Sequence, residues 1–144
     1  MNVVVDDHLL RDILADQRGL ALRVALRGAK TIATTNLFYA RLCRSAAAAV
    51  GGGQLLTALP SQARVVVSAK LIELPPSIVV LPMKELAWDM GMVSAEFRLS
   101  TLGAEAIVAA KALKARLAVW NGNDGPRIKE AASANDVPYL AVER

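Results

Sequence analysis

Cysteine and histidine each occur once in this 144-residue chain. A lone Cys43 excludes a disulfide framework and a cysteine-based zinc site, and its apolar helical setting reads as inert core. His8, the only histidine, reads as a surface or capping residue. Aromatic residues make up 4% of the chain, which argues against an extended base-stacking platform. Trp88 and Trp120 are therefore assigned to packing. No apolar run approaches the ~18 residues that span a bilayer. The amino terminus lacks the basic flank and small-residue cleavage site of a secretion signal, so a cytoplasmic protein is expected. G-x-x-x-x-G-K-[ST], G-x-G-x-x-G and G-x-S-x-G are all missing, which removes the phosphate-cradling loops and the nucleophile elbow.

Acid is missing from one long stretch. No Asp or Glu occurs between Asp16 and Glu73, while Arg18, Arg23, Arg27, Lys30, Arg41, Arg44, Arg64 and Lys70 fall there. Against a net charge of +4, that asymmetry suits RNA or an acidic protein partner as well as solvated helix faces. The apolar fraction is 54%, above the roughly 45–50% of a soluble domain, and the surplus points to a buried subunit interface. A self-associating protein of one domain follows.

What is present alternates. "NVVV" reads as a strand buried on both faces, and "DHLLRDILADQ" as a helix through Leu9, Leu10, Ile13 and Leu14. "GLALRVALRGA" is a second short helix bounded by Gly19 and Gly28. "KTIATT" is strand-like, with Thr34, Thr35 or Asn36 capping the helix "NLFYARLCRSAAAAV", which "GGG" at 51–53 stops. "SQARVVVSAKLIEL" predicts a helix, "SIVVLPM" a strand, and "MKELAWDMGMVSAEFRL" and "STLGAEAIVAAKAL" two more helices. "ARLAVWN", "GPRIKEAASAND" and "PYLAVE" close the chain as strand, helix and strand. The order predicts a three-layer α/β sandwich around a central, mainly parallel sheet.

Ligands of such sheets lie at the carboxyl ends of the strands. Asp6 and Asp7 end the first strand, and Asn121, Asn123 and Asp124 follow "RLAVW", so both clusters point to one rim. Asp7 is assigned as the helix cap, and Asp6 as a site residue. Glu105 is placed in the first turn of its helix, where ligand and dipole readings weigh equally. Asp124 and the two asparagines suit a turn. Arg41 and Arg44, three apart, share a helix face that would meet phosphate or solvent.

Three stretches, "VVVDDHLL", "LGAEAIVAAKALKARLAVWN" and "GPRIKEAASANDVPYLAV", together with "VVLPMKELAWDMG", make the chain similar to the PIN-domain family. These are metal-dependent ribonucleases used as toxins in prokaryotic toxin–antitoxin pairs. The resemblance implies four acidic positions holding Mg²⁺ or Mn²⁺, which activates a water against the phosphodiester. The first aspartate matches Asp6 and the third acid matches Glu105. The fourth falls on Asn121, with Asp124 as a stand-in. The second is lost, because Tyr39, Ala40 or Arg41 stands where a glutamate belongs. An inward Arg41 would oppose a cation, or would pair with Asp6 and close the site without metal. The resemblance thus implies a divalent-metal ribonuclease with Asp6, Glu105 and Asp124 as catalytic residues, RNA on the basic segment through Arg41 and Arg44, and an antitoxin-like partner. The alternatives are a catalytically inactive binding or scaffold protein on the same fold, and nucleic-acid binding without cleavage.

Overall fold

The computed structural model describes residues 1–48 and 54–143. Five strands, β1 (Asn2–Val5), β2 (Thr31–Thr34), β3 (Ile78–Val80), β4 (Ala115–Trp120) and β5 (Tyr139–Val142), form one sheet in the order β3-β2-β1-β4-β5. Every pairing is parallel. Helices α1 (Asp7–Leu14), α2 (Leu20–Ala25), α3 (Asn36–Ala47), α4 (Gln54–Thr57) and α5 (Ser61–Ile72) connect β1 to β2 and β2 to β3. Helices α6 (Met83–Phe97) and α7 (Thr101–Ala112) lead to β4, and α8 (Pro126–Ala134) leads to β5.

The three layers follow from the two-residue side-chain period of a strand. Val3 and Val5 face one core with Leu9, Leu10, Ile13, Leu42 and Val67. Val4 faces the other with Leu117, Ile107, Leu86 and Met90. With both faces covered, the buried part of β1 must be apolar, and Val3, Val4 and Val5 are 0% exposed. The alanines of α7, at 104, 106, 109 and 110, are buried, which lets that helix lie close against the sheet.

The architecture matches the sandwich read from the sequence, and several details differ. Asp6, not Asp7, is the cap of α1: its backbone is extended and its carboxylate accepts from Leu9 N. Asp7 is the first helical residue. α1 ends at Leu14, and Asp16 takes a φ of 55°. Thr35 and Ser100 cap α3 and α7 through their hydroxyls. α3 ends at Ala47, with Ala48 extended, and the "GGG" stop signal falls outside the described residues. Gly28 takes a φ of 74°, a left-handed turn that suits glycine. α4 had no signal in the sequence. Trp88 is 81% exposed rather than packed. Cys43 is half-buried against the core. No described helix is long and apolar enough to cross a membrane.

Candidate functional site

The chain runs from β1 outward to β2 and β3, then returns to β4 on the other side of β1. The strand order therefore reverses between β1 and β4, where open α/β sheets place their ligands. Val5 pairs with Ala118, so Asp6 emerges level with Val119, where its carboxylate reaches Trp120 N. The 3-10 turn of residues 121–123 continues β4 over the same rim.

Asp6 is fully buried, and both of its carboxylate oxygens accept hydrogen bonds. Oδ1 accepts from Leu9 N at 2.9 Å, and Oδ2 accepts from Trp120 N at 2.9 Å and from Asn123 Nδ2 at 2.8 Å. Burial raises its pKa to about 6, although the three N–H groups work in the opposite direction. Asp7, also buried, accepts from His8 N and from Asn123 Nδ2 at 3.3 Å through Oδ1. Its Oδ2 is buried without a hydrogen bond, and Arg41 Nε stands 3.2 Å away, an ion contact rather than an aligned bond. Burial raises the Asp7 pKa and the Arg41 charge partly restores it. The arginine expected beside Asp6 thus pairs with Asp7.

Glu105 lies in the second turn of α7, past the first turn where an acid would meet that helix's own dipole. It caps a different helix. Oε2 accepts from Asn36 N at 3.0 Å and Asn36 Nδ2 at 2.7 Å, and Oε1 accepts from Leu37 N at 2.8 Å. These are the first amides of α3, which no intrahelical carbonyl can satisfy. Asn36 Nδ2 also reaches Leu81 O, so Glu105 ties together α7, α3 and the end of β3.

The remaining residues proposed from the sequence separate. Asn121 is exposed. Asp124 accepts from the Tyr139 hydroxyl at 2.6 Å and faces Lys129 Nζ at 3.3 Å, an arrangement that lowers its pKa chiefly through the Tyr139 bond. Arg41 and Arg44 do share a cleft of about 520 Å³ with His8, Arg11, Ser45 and Trp120. The other cations of the basic segment scatter: Arg64 lines a separate groove, and Arg18 and Lys70 line a third.

The sequence assigned no functional role to His8, Arg11 or Trp120 at the rim, and placed Asn123 there only as part of a turn. Asn123 read as a turn residue and bridges two carboxylates. His8 stacks on Trp120 with ring centroids 4.1 Å apart at 25°. Arg11 is buried and holds Asp12 Oδ1 through Nε and Nη2 while donating to Leu55 O.

A hard divalent cation needs carboxylate oxygens that converge and are open to it. Among the described residues no three His, Cys, Asp or Glu side chains form a group that could hold a metal ion. Asp6, Glu105 and Asp124 each accept hydrogen bonds from the protein, and Asp7 Oδ2, the one buried side-chain oxygen lacking such a bond among the described residues, faces a guanidinium. As arranged, these residues do not fit Mg²⁺ or Mn²⁺. No protein-family model matches the chain, and no curated protein matches it.

Proposed function

We propose that the chain is a non-catalytic binding protein on a PIN-like sandwich, with its ligand face at the carboxyl rim of the sheet. The observation that carries this reading is the engagement of Glu105. The acid that the resemblance would give to a metal is 0% exposed and accepts three N–H bonds from the start of α3. Releasing it would leave orphan amides and a buried charge, at a cost of roughly 1–3 kcal/mol or more. Arg41 at Asp7 acts in the same sense, since a fixed positive charge repels a cation.

The test is calorimetric titration of the metal-free protein with Mn²⁺, beside an Asp6→Asn variant. Neither protein is expected to bind in the micromolar range. Binding by the parent that disappears in the variant would overturn the reading and justify RNA cleavage assays.

A second reading, a toxin-type metal-dependent ribonuclease with an antitoxin-like partner, draws on one observation. Asp6 and Asp7 are adjacent buried carboxylates with raised pKa values at the switch point of the sheet. It requires Asn123 to withdraw from both. Either reading is compatible with a cytoplasmic homo-oligomer or protein complex. The exposed apolar side chains of Val65, Ile72, Trp88 and Met92 offer surface for a partner.

A further inference from the structure

We propose that the cleft between the start of α1 and the middle of α3 binds the phosphate monoester of a nucleotide, gripped by Arg41 and Arg44 with its ring against the His8–Trp120 pair. The inference deepens the binding reading above, because it takes the rim as a place of recognition rather than of cleavage.

Charge comes first. Three arginines line one concavity of about 520 Å³. Arg11 is matched by Asp12 at 2.7 Å, and Arg41 meets Asp7 only through Nε, at 3.2 Å. Arg44 is exposed and makes no ion pair among the described residues. The cleft therefore holds a surplus of positive charge with donors to spare, and a concave wall focuses that potential on an anion.

Geometry then selects the anion. Arg41 and Arg44 lie one turn apart on the same face of α3, the spacing at which two planar forks converge on one group. Ser45 lines the same cleft. A phosphate monoester carries nearly two charges and three acceptor oxygens near neutral pH, whereas a backbone diester carries one charge. Two guanidiniums prefer the former. No glycine-rich loop is needed, because side chains supply the donors that backbone amides supply elsewhere.

His8 and Trp120 add an aromatic part to the same lining. His8 and Trp120 stack at 4.1 Å, and burial holds the histidine pKa down at about 4, so the imidazole is neutral at pH 7. A neutral flat surface beside a cationic one suits a base joined to its phosphate, and stacking accepts any base. The cleft volume lies within the roughly 300–1,000 Å³ usual for small-ligand sites. The phosphate can come from a free nucleotide or from the end of a strand.

The test is calorimetry in EDTA with AMP, adenosine and inorganic phosphate, and with a short oligonucleotide carrying either a 5′-phosphate or a 5′-hydroxyl. AMP should bind saturably, with adenosine and phosphate each weaker by roughly tenfold or more, the scale of one lost charge-assisted contact. Arg44→Ala should weaken AMP by a similar factor with unchanged thermal unfolding, while Arg64→Ala, outside the cleft, should leave it unaltered. Preference for the 5′-phosphorylated oligonucleotide over AMP would identify strand ends as the source. Preference for AMP would identify the free nucleotide. Absence of AMP binding, equal binding by Arg44→Ala, or binding of the two oligonucleotides with equal affinity and more tightly than AMP would overturn the proposal. Mn²⁺ binding in the earlier titration would remove the non-catalytic reading and leave this result to stand by itself.

Discussion

The side-chain amide nitrogen of Asn123 lies 2.8 Å from Asp6 Oδ2 and 3.3 Å from Asp7 Oδ1. One neutral donor thus stands between two buried carboxylates, where their mutual repulsion is largest. The rim is closed by an amide dipole.

Removing that donor should therefore be costly. Asn123→Ala is expected to lower unfolding stability by about 1.5–3 kcal/mol, the range for hydrogen bonds to charged groups. It should also raise the Asp6 pKa further above its value of about 6. Urea unfolding reads the first effect and carboxyl NMR titration the second. An unchanged midpoint would mean that the bridge contributes nothing.

The pH profile should show two opposed groups. The folded pKa of Asp6 is raised from 3.8 to about 6, first by burial, so the folded state holds that proton more tightly. Its contribution is full below 3.8 and is lost as pH rises through about 6. The folded pKa of His8 is lowered from 6.5 to about 4, first by burial and then by Arg11 and Arg41. Its contribution is full above 6.5 and is lost as pH falls through about 4. Between these limits the two slopes oppose each other. Asp6→Asn should lose stability on acidification more steeply than the parent. His8→Gln should gain stability over the same interval, aided by Asp7, whose pKa is also raised. Denaturation at a series of pH values checks this, and parallel profiles for all three proteins would refute it.

Glu105→Gln tests whether the acid is a cap for α3. The amide keeps the volume but turns an NH₂ group toward N–H donors of Asn36 and Leu37. A loss of roughly 1.5–3 kcal/mol is expected, with faster hydrogen exchange at those two amides. Glu96→Gln, at an exposed position, is the control and should change neither quantity. Were Glu105 instead an open metal ligand, the metal-free variant would unfold like the parent.

Gly122→Ala probes the aromatic part of the lining. A methyl group there would come within 2.1 Å of Trp120 Cζ3, so the indole must swing away. The His8 stack should be lost, and the strain should destabilise the fold by about 1–3 kcal/mol. Near-ultraviolet circular dichroism of the tryptophans, together with thermal unfolding, reports both effects.

Much of the fold was legible along the chain because its signals are local. Three valines in a row specify a strand covered on both faces. Leu9, Leu10, Ile13 and Leu14 specify one apolar helix stripe, and a hydroxyl before Asn36 or Thr101 specifies a cap. The basic stretch gave Arg41 and Arg44, which do meet in one cleft. Asp6 was legible as a rim residue because it follows a central strand.

What Asp6 does there was decided by tertiary structure. Its partners Trp120 and Asn123 are 114 and 117 residues away, and those of Glu105 are 69 and 68 away. An acid placed to hold a metal and an acid placed to cap a helix look alike in sequence, since both need only an oxygen at the end of an element. Whether that oxygen stays open depends on which N–H groups the fold brings to it. Periodicity and spacing determined the sandwich and the rim; close packing of distant segments decided that the rim carboxylates are engaged and that Arg44 beside them makes no ion pair among the described residues.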